Sequence, residues 1–411
     1  MPETIAPAAA PSAAPVAAPA AVPPARRRIE SIDVVRGVIM ILMALDHTRD
    51  FFGSSAANPT DMATTTAALF LTRWVTHFCA PVFFLLSGTG AFLMRRRRST
   101  GELSRFLVTR GLWLVFLDCV LFRFIVQFNW DYKVTILTVL WAIGWSMVAL
   151  AALVHLPTRV VGAFGLLLIA GHNLLDGLKA PQFGKLAPLW NVIHGPGLLY
   201  ASPEHLVIVA YALVPWAGVM ALGYSLGALW SMEPERRRTI LLRSGIGATI
   251  AFFVLRAINL YGDPSRWAAQ KSAAFTVLSF MNVTKYPPSL LFLLMTLGPA
   301  LLFLRAVDGH VPRLLRPAHT VGKVPMFYFL LHFTLIHLLA MLASAVRFGA
   351  VHWMWESPSP DKYPITQPPG WPASLPVVYL CWITVVLLAY PACKWYAGVK
   401  ARRTDWWLSY L

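Results

Sequence analysis

Long apolar segments separated by short polar or basic connections dominate the chain from about residue 30 onward. A helix of about 20 apolar residues crosses a bilayer, and ten segments approach or reach that length. The pattern therefore predicts an all-α polytopic membrane protein with about ten transmembrane helices. The predicted spans are residues 33–52, 69–94, 103–127, 134–154, 158–175, 204–231, 239–261, 287–306, 324–346 and 373–393.

The charges of the connections predict the orientation of these helices. Basic residues cluster in alternate connections, and the intervening ones are nearly charge-balanced. Because Lys and Arg accumulate in cytoplasmic loops, this alternation predicts that both termini are cytoplasmic. Segment 158–175 is the shortest, but without a span there Arg236 to Arg238 would lie outside. The basic clusters are Arg26 to Arg28, Arg95 to Arg98 with Arg105, Arg236 to Arg238 with Arg243, Arg305 to Lys323, and Lys394 to Arg403.

Two kinds of segment fall outside the apolar pattern. Residues 1–29 are rich in Ala and Pro, which predicts a disordered N-terminal extension before a membrane domain at 30–400 and a short cytoplasmic tail at 401–411. The longest outer connections, 176–203 and 347–372, are rich in Pro, Gly and Trp and are candidates for capping an outward-facing cavity.

The composition agrees with a membrane protein. The chain is 57% hydrophobic and only 13% charged, which argues against an ordinary soluble domain. Its net charge of +17 comes from basic residues that flank apolar runs, so we expect the lipid bilayer and not a nucleic acid as partner. The four cysteines have neither metal-ligand nor paired spacing, and no metal site is expected. Nucleotide-binding, zinc-protease and serine-elbow motifs are absent from the sequence.

The first predicted helix carries polar residues toward membrane depth. Asp46, His47, Arg49 and Asp50 follow its short apolar stretch, and Arg36 lies eleven residues before His47 on the same helix face. Ionised groups at such depth need partners or water. Asp50 lies one turn from His47 and is a candidate for holding the imidazole in one tautomer. The alternative is an interfacial helix end whose charges pair in water.

The second predicted helix brings Arg73 and His77 to one face, four residues apart and at a depth similar to that of His47. Pro81 is expected to kink this helix and free a backbone carbonyl. In the alternative interpretation, Arg73 extends its charge to the interface and His77 is a satisfied polar contact.

Further polar residues lie on later segments. Asn282 and Lys285 precede the eighth predicted helix on the outer side, and His332 lies in the middle of the ninth. A lone mid-helix histidine is more often a core contact than a catalyst, so His332 ranks second. Asp118 and Arg123 on the third helix are expected to form a structural pair.

The segments that contain these residues resemble a known family. They are similar to bacterial relatives of heparan-alpha-glucosaminide N-acetyltransferase, which are multi-pass membrane proteins, and the likeness covers most of residues 30–346. Arg36 with His47 also resembles the Arg, ten-residue gap, His pattern of the broader membrane acyltransferases. The similar segments are Ser31 to Gly37, Asp46-His47, Arg73 to Pro81, Pro215 to Tyr224, Lys285 to Ser289 and Gly322 to Pro325.

The resemblance implies transfer of an acyl group from cytoplasmic acyl-CoA to a sugar or other acceptor on the outer side of the membrane. Acetyl is the first acyl group to expect. It also implies an essential membrane histidine. The eukaryotic enzymes are thought to use a histidine shortly before the second helix, but residues 51–68 contain none. His47 or His77 would therefore take that role, as a general base or as a covalent carrier of the acyl group.

These arguments define the expected site and its partners. We expect catalysis by His47, Asp50, His77 and Arg73, with Arg73 or His77 stabilising the oxyanion. Acyl-CoA is expected as co-substrate without a permanently bound cofactor, a glycan or small molecule as acceptor, and the inner cell membrane as location; an oligomer is compatible with the sequence. The expected substrate-binding residues are Arg36, Asp46, Lys285, Asn282 and His332.

The sequence is also compatible with two other functions. Intramembrane His, Asp and Arg also build the substrate and proton pathways of transporters, although no internal repeat is evident. A scaffold or sensor would use the same residues only to fix helix packing.

Overall fold

The computed structural model describes residues 29–54, 57–359, 362–403 and 405–409, most of which are helical. The predicted Ala/Pro-rich extension and the basic residues Arg26 to Arg28 lie outside this range, apart from residue 29. The α-helices are α1 (Glu30–Phe52), α2 (Ala67–Val75), α3 (Cys79–Arg95), α4 (Thr100–Leu117), α5 (Arg123–Gln127), α6 (Val139–Leu153), α7 (Thr158–Gly171), α8 (Ala187–Ile193), α9 (Leu213–Leu226), α10 (Pro234–Ile258), α11 (Ala273–Met281), α12 (Leu290–Ala306), α13 (Arg316–Gly322), α14 (Pro325–Phe348) and α15 (Leu375–Arg402).

Short helical turns extend or join several of these helices. A π-helical turn at Asp118–Phe122 joins α4 to α5. The 3₁₀ turns are Thr76–Phe78, His172–Leu175, Ala180–Leu186, Gly227–Ser231, Arg313–Leu315, His352–Met354 and Trp406–Ser409.

Six helical segments in the described part of the chain are long and apolar enough to cross a membrane, which identifies a membrane-type protein. One of them is Thr158–Leu175, the segment for which the sequence pattern was weakest. Helices α6 and α12 are apolar but shorter. The six segments are Ala67–Arg95, Thr158–Leu175, Leu213–Ser231, Pro234–Ile258, Pro325–Phe348 and Leu375–Arg402.

A small three-stranded sheet corrects the all-helical prediction. Strand β1 (Val134–Leu137) pairs in parallel with β3 (Leu206–Val209), which pairs antiparallel with β2 (Gly197–Ala201). The sequence analysis assigned residues 134–137 and 206–209 to transmembrane helices. Both runs are apolar, but they are short and rich in Val and Ile, which fit the pleated surface of a sheet. Helices α6 and α9 accordingly begin later than predicted.

Asp118 and Arg123 do not form the structural pair expected from the sequence. The Asp118 carboxylate accepts hydrogen bonds from the Thr138 backbone N–H at 2.8 Å and its hydroxyl at 2.5 Å, at the start of α6. A carboxylate there satisfies a free helix N–H and complements the helix dipole. Arg123 pairs instead with Asp131 at 3.0 Å. The π-helical turn at Asp118–Phe122 separates the two side chains, and each engages a different neighbour.

Helix α1 is the centre of the bundle. It packs against α3, α12, α13, α14 and α15, so its polar residues face other helices. Gly37 and Gly322 permit the closest of these approaches, because a Cβ on Gly37 would overlap the Ala318 carbonyl of α13 and one on Gly322 would overlap the carbonyl of Asp33. Small residues allow such backbone contact between membrane helices.

The C-terminal end of α1 is covered by the connection between α14 and α15. The Trp371 indole donates to the Phe51 carbonyl at 2.9 Å, the Ala373 N–H to that of Phe52 at 2.8 Å, and the Gln367 amide to that of Gly53 at 2.8 Å. These bonds satisfy the last carbonyls of the helix. This connection, which the sequence analysis gave as a candidate for capping a cavity, thus lies directly beyond the polar segment of α1.

Candidate functional site

An ionic network joins the C-terminal end of α1 to α2. Asp46 is buried and accepts a hydrogen bond from Arg73, and its other carboxylate oxygen lies 3.0 Å from Arg49. Arg49 in turn pairs with Asp50 at 2.6 Å. The predicted polar residues of the first two helices therefore meet inside the protein. The Asp46 and Arg49 side chains are 10% and 12% exposed, which contradicts pairing in water for these two residues, whereas the Asp50 side chain is 39% exposed.

His47 contacts a second histidine. Its Nδ1 atom lies 2.9 Å from Nε2 of His332 on α14, and its ring stacks on Phe333 with centroids 4.0 Å apart. His332 is completely buried, and its Nδ1 donates a hydrogen bond to the Tyr328 carbonyl at 2.8 Å. His47 itself is half-buried.

Asp50 does not hold the His47 imidazole, contrary to the sequence-based hypothesis. Its described ion pair is with Arg49, and the Nδ1 atom of His47 is occupied by His332. A spacing of three residues along a helix allows a contact, but the longer reach of Arg49 brings a stronger, charged partner to the carboxylate.

His77 lies in the 3₁₀ turn Thr76–Phe78 between α2 and α3. Pro81 has no N–H to bond the His77 carbonyl, so the regular helix is interrupted where the sequence predicted a kink. The imidazole is 2% exposed, lies edge-on to Phe292 at 5.3 Å between centroids, and its Nδ1 has no hydrogen-bond partner among the described residues. Burial without such a partner distinguishes His77 from His47.

Lys285 joins this cluster from the connection before α12. It is 9% exposed, its Nζ lies 5.2 Å from the centroid of the Tyr286 ring, and its charge acts on Asp46, His47 and His77. Asp263 fixes the local backbone by accepting hydrogen bonds from the Thr284 N–H at 2.8 Å and the Ser289 hydroxyl at 2.6 Å.

Tyr286 is a member of the cluster that sequence reasoning did not single out. Its hydroxyl lies 3.5 Å from that of Tyr211. Partial burial raises the pKa of the Tyr286 phenol, but the positive charges of Lys285 and Arg73 outweigh it and bring the pKa below its ordinary value. Tyr286 belongs to the quoted segment Lys285 to Ser289, which was the available signal; Tyr211 and Asp263 had none.

Asn282 and Arg256 have structural contacts. The Asn282 amide, predicted to bind substrate, donates to the Thr60 carbonyl at 2.8 Å. The buried Arg256 guanidinium donates to four backbone carbonyls between residues 265 and 282. These bonds hold the connection that presents Lys285, and the side-chain N–H of Asn282 is engaged by Thr60; substrate binding by Asn282 stays a prediction.

Arg36 lies apart from the other predicted residues, near the opposite end of α1. Its guanidinium bonds Asp33 at 3.0 Å and the Gly322 carbonyl at 3.3 Å. Eleven residues of helix separate it from His47, a rise of roughly 16 Å. The two residues therefore serve different regions of the molecule.

The cluster combines a half-buried imidazole with fixed charges of both signs. Counting Arg49, Arg73 and Lys285 against Asp46 and Asp50 leaves one excess positive charge when both histidines are neutral. Such a site can move a proton and stabilise developing negative charge. The described residues contain no group of three or more His, Cys, Asp or Glu that would hold a metal ion.

Comparison with known proteins identifies the family. The catalytic-domain model of heparan-alpha-glucosaminide N-acetyltransferase matches residues 28–260, which include His47, Arg73 and His77 but neither Lys285 nor His332. No curated protein matched the chain. The match covers more than half of the 411 residues and confirms the resemblance seen in the sequence. The protein belongs to the heparan-alpha-glucosaminide N-acetyltransferase family of membrane acyltransferases.

Proposed function

We propose that this protein transfers an acetyl group from cytoplasmic acetyl-CoA to an amine or hydroxyl of a glycan or small molecule on the outer side of the inner cell membrane. The observation that carries the proposal is the half-buried His47 beside an ionic network in which Asp46 is buried and the Arg49 and Arg73 side chains are 12% and 13% exposed, on the part of the chain that the family model matches. This match also favours an acyltransferase over the transporter considered from the sequence.

His47 is the general base in this proposal. Of the two candidate histidines it is the more accessible, because His77 is 2% exposed and packs on Phe292. An accessible imidazole takes the proton of an acceptor N–H or O–H as that group attacks the thioester carbonyl. His77 then shapes the wall of the site, and Asp46 with Asp50 holds the arginines around it.

Lys285 is better placed than Arg73 to stabilise the tetrahedral oxyanion. The described hydrogen bond of Arg73 engages Asp46, whereas the described contact of the Lys285 ammonium is the face of Tyr286. A carboxylate partner neutralises much of the field of Arg73, so Lys285 supplies the excess positive charge of the cluster. This revises the sequence-based expectation that Arg73 or His77 carries that role.

The donor approaches from the opposite end of α1. We propose ten transmembrane spans with cytoplasmic termini, obtained by adding α1, α4 to α5, α6 and α12 to the six longer segments. The basic loops then lie on the side that Arg36 faces and attract the phosphates of coenzyme A. With the phosphates of coenzyme A on the side of Arg36, the thioester must reach His47, which lies roughly 16 Å further along α1. An extended pantetheine arm spans that distance.

The test uses purified protein in sealed vesicles of uniform orientation. Radiolabelled acetyl-CoA is supplied on the side of the basic loops, with glucosamine as the first acceptor, and free coenzyme A and acetylated acceptor are measured. We expect turnover by the wild type and a loss of at least about 100-fold for His47→Gln, since general bases contribute about 10²–10⁴-fold.

His155→Gln is the matched control, because His155 is exposed in the turn between α6 and α7. It should transfer at the wild-type rate. Near-normal transfer by folded His47→Gln would refute the assignment of His47. Substrate flux without coenzyme A, together with no release of free coenzyme A from any acyl donor, would favour a transporter.

A further inference from the structure

The hydrogen bonds of His332 determine where its own proton lies. A backbone carbonyl only accepts hydrogen bonds, so Nδ1 of His332 must carry the hydrogen donated to Tyr328. In a neutral imidazole the other nitrogen is then an acceptor. Nε2 of His332 is that acceptor, and it faces Nδ1 of His47 at 2.9 Å.

His332 is held neutral by its surroundings. The side chain is completely buried, and its described neighbours are the Tyr328 carbonyl, His47 and the rings of Tyr328, Phe329 and Phe333. In the described part of the chain, none of its hydrogen bonds or ion pairs involves a carboxylate. A buried imidazolium without a counter-ion is strongly disfavoured. The contact between the histidines therefore requires Nδ1–H on His47 as donor.

We propose that His332 is a positioning residue that holds His47 in the tautomer protonated at Nδ1, so that Nε2 carries the free lone pair. The inference rests on the proposed function and deepens it. Neutral histidine in water favours the opposite tautomer, with the hydrogen on Nε2. A buried acceptor at Nδ1 reverses that preference, and stacking on Phe333 fixes the plane of the ring.

The proposal accounts for each proton in the transfer. As the acceptor nitrogen or oxygen forms its bond to the acetyl carbonyl carbon, its proton passes to Nε2 of His47. The resulting imidazolium keeps its Nδ1–H bond to His332 and is stabilised by the negative charge of the neighbouring residue Asp46. When the C–S bond breaks, the thiolate of coenzyme A takes the proton from Nε2, which restores the neutral pair.

Two substitutions at residue 332 separate positioning from packing. His332→Leu fills a similar volume but offers no acceptor, so His47 reverts to the other tautomer. His332→Gln places an amide oxygen near the former Nε2 position, where it accepts the Nδ1–H bond. We expect kcat to fall by about 10–100-fold for the leucine variant and by less than about threefold for the glutamine variant, with KM nearly unchanged in both.

His337→Leu is the matched control for loss of a buried histidine on the same helix. His337 is completely buried, but its ring nitrogens lie 3.1 Å and 2.8 Å from the carbonyl oxygens of Ile125 and Met354, one of which accepts its single N–H, and they do not contact His47. We expect it to lower thermal stability while preserving kcat of the folded fraction. Equal losses of kcat in the His332→Leu and His337→Leu variants would overturn the positioning role.

Nitrogen NMR of protein labelled with ¹⁵N-histidine reads the tautomer directly. The His47 signals are identified by their absence in His47→Gln. We expect a pyrrole-type Nδ1 and a pyridine-type Nε2 in the wild type and in His332→Gln, and the reverse in His332→Leu. A wild-type His47 with a protonated Nε2 and unprotonated Nδ1 would overturn the inference, even if His47→Gln abolishes transfer. Normal acetyl transfer by His47→Gln would instead refute the proposed catalytic role of His47, on which this inference rests.

Discussion

Removal of the Asp46 carboxylate tests whether the ionic network stabilises the fold. Asp46 and Arg73 are nearly withdrawn from solvent, with side chains 10% and 13% exposed. Asp46→Leu leaves the Arg73 guanidinium buried without its described ion-pair partner. Arg49 keeps its ion pair with Asp50 at 2.6 Å, so the substitution leaves only the charge of Arg73 without its partner.

The expected loss of folding free energy follows from this single unpaired charge. Breaking a buried ion pair from one side costs about 3–5 kcal/mol, and residual exposure of Arg73 places the estimate near the lower end, at about 3 kcal/mol. This is a large fraction of a typical folding free energy of roughly 5–15 kcal/mol. Arg73→Met should cost a similar amount. The double variant should lose less than either single variant, because the charged pair is replaced by apolar side chains.

The free energy of unfolding is measured in mixed micelles by increasing the fraction of a denaturing detergent, with the 16 tryptophans as the fluorescent reporter. Glu235→Gln provides the control, because it removes a pair with Arg238 in which the Glu235 side chain is 86% exposed. Its effect should stay within about 1 kcal/mol. The reasoning is wrong if the double variant loses the sum of the two single losses, or if Asp46→Leu is no more destabilising than Glu235→Gln.

Three further perturbations act on other parts of the molecule. Gly37→Ala introduces a Cβ into backbone of α13 and should lower the thermal midpoint by several degrees, whereas Gly90→Ala, with nothing within 4 Å of the added carbon, should leave it unchanged. Asp118→Ala removes the acceptor at the start of α6, so amide hydrogen exchange there should become faster; unchanged exchange would exclude capping. Asp263→Ala frees the turn that holds Lys285 and should lower kcat more than it raises KM; a change in KM alone would indicate a binding role for this turn.

The six helical segments that are long and apolar enough to cross a membrane were predictable, because a membrane helix is specified by length and hydropathy. The weakest prediction, residues 158–175, coincides with the apolar helical segment Thr158–Leu175. Strands β1 and β3 were not distinguished from helix, because an apolar run of four residues beside a longer apolar run has no separate period. The short helices α8, α11 and α13 lie in connections, where local caps and tertiary contacts determine structure.

Parts of the candidate site were also predictable. The pattern brought Asp46, His47, Arg73 and His77 to similar depth, because helix geometry fixes relations within three or four residues. The pattern does not predict contacts between distant segments, and nothing in the sequence links His47 to His332, 285 residues later. The same limit explains why Asp50 was given the role of holding His47.

The family match ends at residue 260, but the polar cluster does not. Lys285 and His332 come from the unmatched remainder of the chain and meet the matched helices only in the folded bundle. A fragment cut at the boundary of the match would therefore contain His47 without His332, the proposed acceptor of its Nδ1–H, and without Lys285, the source of the excess positive charge of the cluster. On the proposed function, the smallest active part of this protein is larger than the part by which its family is recognised.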